Sequence, residues 1–283
     1  MLRDITIGQH FPGESLVHRL DPRLKLLLVI AYIVVLFIGD NPLGLLISMV
    51  FLIVMYALSR IPAKTVLRSI RPLLPILIFT TVLNLFIMHS GQTLVEFWIF
   101  KISWGGVYYA ITMIVRIVFL VAGMGLLTYT TSPIALTDAI ERLLSPLSKL
   151  KFPSHELAMM MTIALRMIPT IIEETDKIMS AQKARGAELD SGGLLKRVKA
   201  LVPVLIPLFL SAFRRADELA MAMECRCYRG GKGRTRLRQL KITGRDLLST
   251  LVCVAIFVLI GFSGWAFDWL RLAYFPTFPL FAL

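Results

Sequence analysis

Two arginines stand out by where they sit. Arg185 lies between Ala184 and Gly186 in "MSAQKARGAELD" (179–190), at the end of a long helical pattern. Arg226 lies between Cys225 and Cys227 in "MAMECRCYRG" (221–230), at the end of a second such pattern. A guanidinium is a planar fork that pairs bidentately with carboxylates and carbonyls, so it supplies direction as well as charge. Small neighbours clear the space around it and let a partner surface close over the helix end. The helix dipole alone favours a cation at a C-terminus by about 0.3–1 kcal/mol, which is enough to account for either arginine singly. Two arginines in the same setting suggest two related grooves on partner molecules. "YRG" (228–230) offers a second register for the later motif.

The remaining chemistry-bearing residues form no catalytic pattern. His10, His18, His89 and His155 are scattered, without metal-ligand spacing. Cys225, Cys227 and Cys253 give neither a disulfide framework nor the four ligands of a zinc site, and small-residue packing is the expected role. Asp138 and Glu141 fall one turn apart on a short amphipathic helix and read as a solvated face. Arg116 falls within an apolar run, where a bridge to Asn84 or to carbonyls inside a bundle is expected. "GGKGRT" lacks the spacing of a Walker phosphate loop. No nucleophile–base set appears at helical spacing. The sequence therefore predicts no catalytic residue, no metal and no cofactor in this chain.

The elements that must position the arginines belong to a membrane protein. Of 283 residues, 57% are hydrophobic, and mean hydropathy is +0.74. Five apolar runs read as spans, at 26–38, 42–58, 72–88, 105–129 and 246–267. The first two are short for a core of ~30 Å. The N-terminus is polar for too long to be a cleavable signal peptide. The net charge of +13 could suit nucleic acid, but no aromatics interleave the basic run, and nucleic acid is not expected as a partner. Lys and Arg gather before span one, between spans two and three, and between spans four and five, whereas the loops 39–41 and 89–104 carry only Lys101. By the positive-inside rule the N-terminus is cytoplasmic and the C-terminus extracellular.

Residues 130–245 hold 20 Lys and Arg against 11 Asp and Glu, yet they are helical and partly apolar. "TTSP" (130–133) opens a short amphipathic helix. Two longer helices follow, with Pro169 expected to kink the first and Pro203 and Pro207 inside the second. Neither contains ~20 uninterrupted apolar residues, so both are expected to lie at the inner face of the membrane. The predicted fold is all-α: a polytopic membrane protein with about five spans plus long cytoplasmic helices between spans four and five. Its domains are a four-span membrane domain (1–129), a cytoplasmic helical domain (130–245), and a C-terminal span with an extracellular tail (246–283).

The chain resembles the transmembrane T component (EcfT) of energy-coupling factor transporters, a branch of the ABC importers. The resemblance rests on "LDPRLK" (20–25), "TTSP" (130–133), "ALRMIP" (164–169), "AQKARGAE" (181–188) and "AMECRCY" (222–228), which together extend over most of the chain. It implies a non-catalytic coupling subunit for vitamin or micronutrient uptake in the cell membrane. Two separate subunits would bind ATP and Mg and hydrolyse the nucleotide, and a small membrane subunit would capture the substrate. In that family two Ala-Arg-Gly-like motifs end cytoplasmic coupling helices and dock one ATPase each. Ala184, Arg185 and Gly186 match the first motif, and Cys225, Arg226 and Cys227 align with the second, cysteines replacing the usual Ala and Gly. The interrupted apolar helices suggest a platform for the capture subunit that includes Met159, Met160, Ile163, Leu205 and Leu210. The competing classes are a self-sufficient membrane carrier, which should show internal repeats, and a lipid-modifying membrane enzyme, which should show convergent carboxylates.

Overall fold

The computed structural model describes residues 11–39, 41–87, 93–97, 100–146, 153–187, 193–230 and 242–274. Expectations for His10, His89 and the tail after 274 fall outside them. The elements are α1 (Leu16–Arg19), α2 (Pro22–Ile38), α3 (Pro42–Ser59), α4 (Ala63–Ile70), a 3-10 turn (Arg71–Leu73), α5 (Leu74–Ile87), β1 (Thr93–Phe97), β2 (Phe100–Ser103), α6 (Trp104–Thr130), α7 (Pro133–Leu144), α8 (Ser154–Ala184), α9 (Leu194–Cys225) and α10 (Gly244–Tyr274). The fold is all-α apart from the antiparallel β1–β2 ribbon.

Local chemistry sets the helix starts. Asp21 caps α2 by accepting from the Arg23 amide, with Pro22 in the first turn, where its missing N–H costs nothing. Ser103 caps α6 by accepting from Gly106 N. Ser132 accepts from Ala135 N at the start of α7. Ahead of α10, Thr243 N donates to Asp246 Oδ2 over 2.9 Å, half of a capping box.

Among the described residues, five helical stretches are long and apolar enough to cross a membrane: Pro42–Ser59, Ala63–Leu85, Trp104–Thr130, Ser154–Ala184 and Gly244–Trp265. Four of these overlap apolar runs read from the sequence as spans. The remaining predicted span falls in α2, which has 17 residues and is about 26 Å long at 1.5 Å per residue. The fifth stretch is α8, whose apolar part is interrupted by Arg166 and followed by Glu173, Glu174, Asp176 and Lys177.

The residues divide into two compact units, one within Thr137–Gln239 and the other within Gly8–Leu136 and Leu240–Leu283. The larger unit packs α2, α3, α6 and α10 around Tyr32, Leu36, Phe51, Leu52, Ala122, Cys253, Phe257 and Ile260. Tyr32, Phe51 and Phe257 form an aromatic triad with centroids 5.4–6.0 Å apart. In lipid, tight packing holds helices together where the hydrophobic effect cannot. Gly123 shows this, because a Cβ there would lie 2.6 Å from Tyr32 Cε1. Cys253 is buried in this core, in line with the packing role read from the sequence, whereas Cys225 and Cys227 are exposed and do not fit it. Arg116 lies over the Phe37 ring, 5.6 Å from its centroid. Asn84, expected as its bridge, instead donates to the Thr80 carbonyl of its own helix.

The smaller unit is built on the α8–α9 pair. Gln182 Nε2 donates to the Pro203 carbonyl over 3.3 Å. Ser211 Oγ donates to Glu174 Oε1, and Arg215 donates to Glu174 Oε2 at 2.7 and 3.2 Å. As the α8 number falls from 182 to 174, the α9 partner rises from 203 to 211 and beyond, so the helices run antiparallel. Both stay helical through Pro169, Pro203 and Pro207. The reading of Asp138 and Glu141 as a solvated face is corrected here: Glu141 is 7% exposed, and its Oε1 is 2.9 Å from His155 Nδ1. The pairing joins residues 14 positions apart on different helices, which helical spacing within α7 could not reveal.

Candidate functional site: two arginine-capped helix ends

α8 and α9 close through the same pair of backbone hydrogen bonds past the C-cap. In α8, Gly186 N donates to the Lys183 carbonyl and Ala187 N to the Gln182 carbonyl, both at 3.0 Å. In α9, Cys227 N donates to the Glu224 carbonyl at 2.8 Å and Tyr228 N to the Met223 carbonyl at 3.1 Å. Both are Schellman closures, which satisfy carbonyls that the helix leaves without partners. Arg185 and Arg226 are the C-cap residues, with φ of −84° and −88°. The next residue in each case is left-handed, Gly186 at φ 86° and Cys227 at φ 55°. Glycine adopts this conformation freely, whereas a residue with a Cβ pays for it.

These closures bear on the register left open by the sequence. Gly230 also has positive φ, at 85°, but Arg229 lies beyond the last hydrogen bonds of α9. It is Arg226, with Cys227 after it, that repeats the geometry of Arg185 and Gly186.

Ala184, Arg185, Gly186, Cys225, Arg226 and Cys227 are all exposed. Nothing lies within 4 Å of where a Gly186 Cβ would be. Glu174, about three turns before Arg185 on α8, is engaged by Ser211 and Arg215. In the antiparallel register fixed by Gln182–Pro203 and Glu174–Ser211, the arginines stand at opposite ends of the pair. Their separation along it is about 40 Å at 1.5 Å per residue.

The apolar candidates do not gather in one place. Leu205 and Leu210 belong to a stripe on α9 formed by Leu201, Val202, Leu205, Ile206, Phe209, Leu210 and Phe213, all exposed. Their i, i+3, i+4, i+7 spacing puts them on one face. Met160 is also exposed, while Met159 and Ile163 are half-buried. By the same register these three α8 residues lie about 18 Å or more along the pair from Leu210.

One feature of the larger unit had no signal beyond its residue types. Lys25 is 6% exposed. Its Nζ donates to the carbonyls of His18 and Thr130, each at 3.0 Å, and to Thr131 Oγ1 at 3.3 Å. It thereby ties "LDPRLK" to "TTSP" at the C-terminus of α6. A lysine in the first turn of an apolar helix was the only hint, since two of its three partners lie 105 and 106 positions away.

Spanning helices combined with a helical pair ending in two exposed arginines define an all-α, polytopic membrane protein. The model of the CbiQ family, described as cobalt transport protein, matches residues 13–237. The chain is 51% identical over 265 residues to the energy-coupling factor transporter transmembrane protein EcfT of Acidaminococcus fermentans, covering 94% of this chain and 98% of that one. It is 54% identical over 246 residues to the protein of that name from Thermosediminibacter oceani, covering 87% and 92%. With the one from Bacillus subtilis it shares 46% over 259 residues, covering 92% and 97%. The chain belongs to this family of transmembrane proteins of energy-coupling factor transporters.

Proposed function

We propose that this chain is the coupling subunit of an importer for a vitamin or micronutrient, transmitting the closure of two ATPase subunits to a small membrane subunit that captures the substrate. The repeated helix closure carries this reading. Two identical ends, each presenting one unobstructed guanidinium, suit two related grooves, and a separation of about 40 Å suits two subunits placed side by side. Each arginine inserts its fork into a carboxylate- or carbonyl-lined groove of a different ATPase, and the α8–α9 pair acts as the lever between them. ATP and Mg bind to those partners. The α9 stripe is the surface that receives the capture subunit, and the N-terminus is cytoplasmic.

The test is co-purification with the ATPases combined with substrate uptake in vesicles. The wild-type chain should bring down both ATPases, and the Arg185→Ala, Arg226→Ala double variant should bring down neither. Assembly and uptake at the wild-type rate in that variant would show that the two ends are merely closed helices. A carrier acting alone would purify without ATPases.

A further inference from the structure

We infer that the outer face of α4 is a binding site for an anionic phospholipid headgroup, with Lys64, Arg68 and Arg71 as the phosphate-binding residues and Leu67 as the contact to its acyl chains. This inference uses only the membrane-spanning character of the chain and is independent of the coupling role.

Lys64, Leu67, Arg68 and Arg71 are spaced i, i+3, i+4, i+7, which places them on one face of the helix and the turn that continues it. All four are exposed, Leu67 by 67%. The opposite side is held in the protein. Ile61, just before α4, is buried against Leu126 and Tyr129. Val66 packs on the aromatic core, and the Thr65 carbonyl accepts from Tyr129 Oη at 3.5 Å. The basic face is therefore fixed in orientation. Arg60 adds a fourth exposed cation one turn earlier, as the left-handed C-cap of α3.

Among the described residues, no carboxylate pairs with Lys64, Arg68 or Arg71. Elsewhere Arg19 pairs with Glu14, Arg23 with Asp21 and Arg215 with Glu174. The sequence contains no acidic residue between Asp40 and Glu96.

Position decides which anion is meant. α3 ends at Ser59 and the uncharged apolar run of the next helix starts only after Arg71, at Pro72, so these cations sit between two apolar runs. Charge is expensive within hydrocarbon, which confines them to the depth of the headgroups. An exposed leucine between cations is the composition of an interfacial helix, not of a wholly solvated one. Arginine's fork matches a phosphodiester bidentately. A zwitterionic headgroup brings its own ammonium, so a net-anionic lipid such as phosphatidylglycerol is the better fit.

The experiment reconstitutes the full chain in phosphatidylcholine nanodiscs with and without phosphatidylglycerol. It measures the melting temperature in each and, after exchange into detergent, the phosphatidylglycerol retained by mass spectrometry. The wild type should retain that lipid and melt higher in its presence. The Lys64→Gln, Arg68→Gln, Arg71→Gln variant should lose about a hundredfold in preference for the anionic lipid, at roughly fivefold per cation. Its melting temperature in phosphatidylcholine alone should match wild type. If it does not, Arg68→Gln alone should show a smaller loss of retained lipid. A variant with Lys64→Arg, Arg68→Lys and Arg71→Lys should keep most of the lipid. Wild-type retention in the triple glutamine variant, or no retention in the wild type, overturns the site. So does loss of a co-purifying protein by that variant with lipid retention unchanged, which would make α4 a protein-docking surface.

Discussion

Gly186 and Cys227 occupy the same position, one residue past the C-cap, in two identical helix closures, and both are left-handed. Only one of them has a Cβ. The geometry at Cys227 is thus held against a local preference of about 1–2 kcal/mol.

Opposite substitutions at these positions should have opposite effects. Cys227→Gly should stabilise the α9 end by up to about 1 kcal/mol, and Gly186→Ala should destabilise the α8 end by about as much. Melting of the purified chain checks this, with shifts of about 2–4 °C in opposite directions. Shifts of the same sign would mean that the two closures differ in solution.

Charge without shape should not restore docking. Removing one partner of a desolvated charged pair costs about 2–5 kcal/mol, so Arg185→Ala or Arg226→Ala should each weaken ATPase binding. Arg185→Lys and Arg226→Lys should recover little of it, because lysine keeps the charge and loses the fork. Titrating each variant against the ATPases gives the affinities. Full recovery by lysine would reduce the arginines to general electrostatic attraction.

A charge on the α9 stripe should separate the two kinds of partner. Leu210→Glu is expected to weaken association with the capture subunit and leave the ATPases bound. Pull-downs against each partner distinguish this from misfolding, which would remove both.

Lys25→Met should destabilise the larger unit, since it leaves the His18 and Thr130 carbonyls without their donor. Losing hydrogen bonds to a charged group costs about 1.5–3 kcal/mol. Thermal melting in detergent should show the loss, and an unchanged melting temperature would mean that water replaces the ammonium.

A reporter active only in the cytoplasm, fused after Leu283, should be silent. This follows from the proposed cytoplasmic N-terminus with α2, α3, α5, α6 and α10 as the crossings. Strong activity would mean an even number, as if α8 also crossed the bilayer.

The membrane-spanning character could be read directly from the sequence. A backbone in hydrocarbon must satisfy its own hydrogen bonds, which forces long apolar helices that composition reveals. The arginines were visible for a related reason, because small neighbours and a following Gly or Gly-Gly mark helix ends locally. Chain order could not say which arginine closes α9, since Arg226 and Arg229 are both followed by residues with positive φ. The hydrogen bonds to Met223 and Glu224 single out Arg226. Nor could it show that Lys25 reaches Thr130, that Glu141 turns inward to His155, or that Glu174 locks α8 onto α9 through Ser211 and Arg215. Those pairings join side chains on different helices, and a periodic pattern records which face is apolar but not which residue lies opposite. Sequence alone determined the helices and their exposed ends. Tertiary packing decided the antiparallel register of α8 and α9, and with it the placing of the two arginines at opposite ends of that pair.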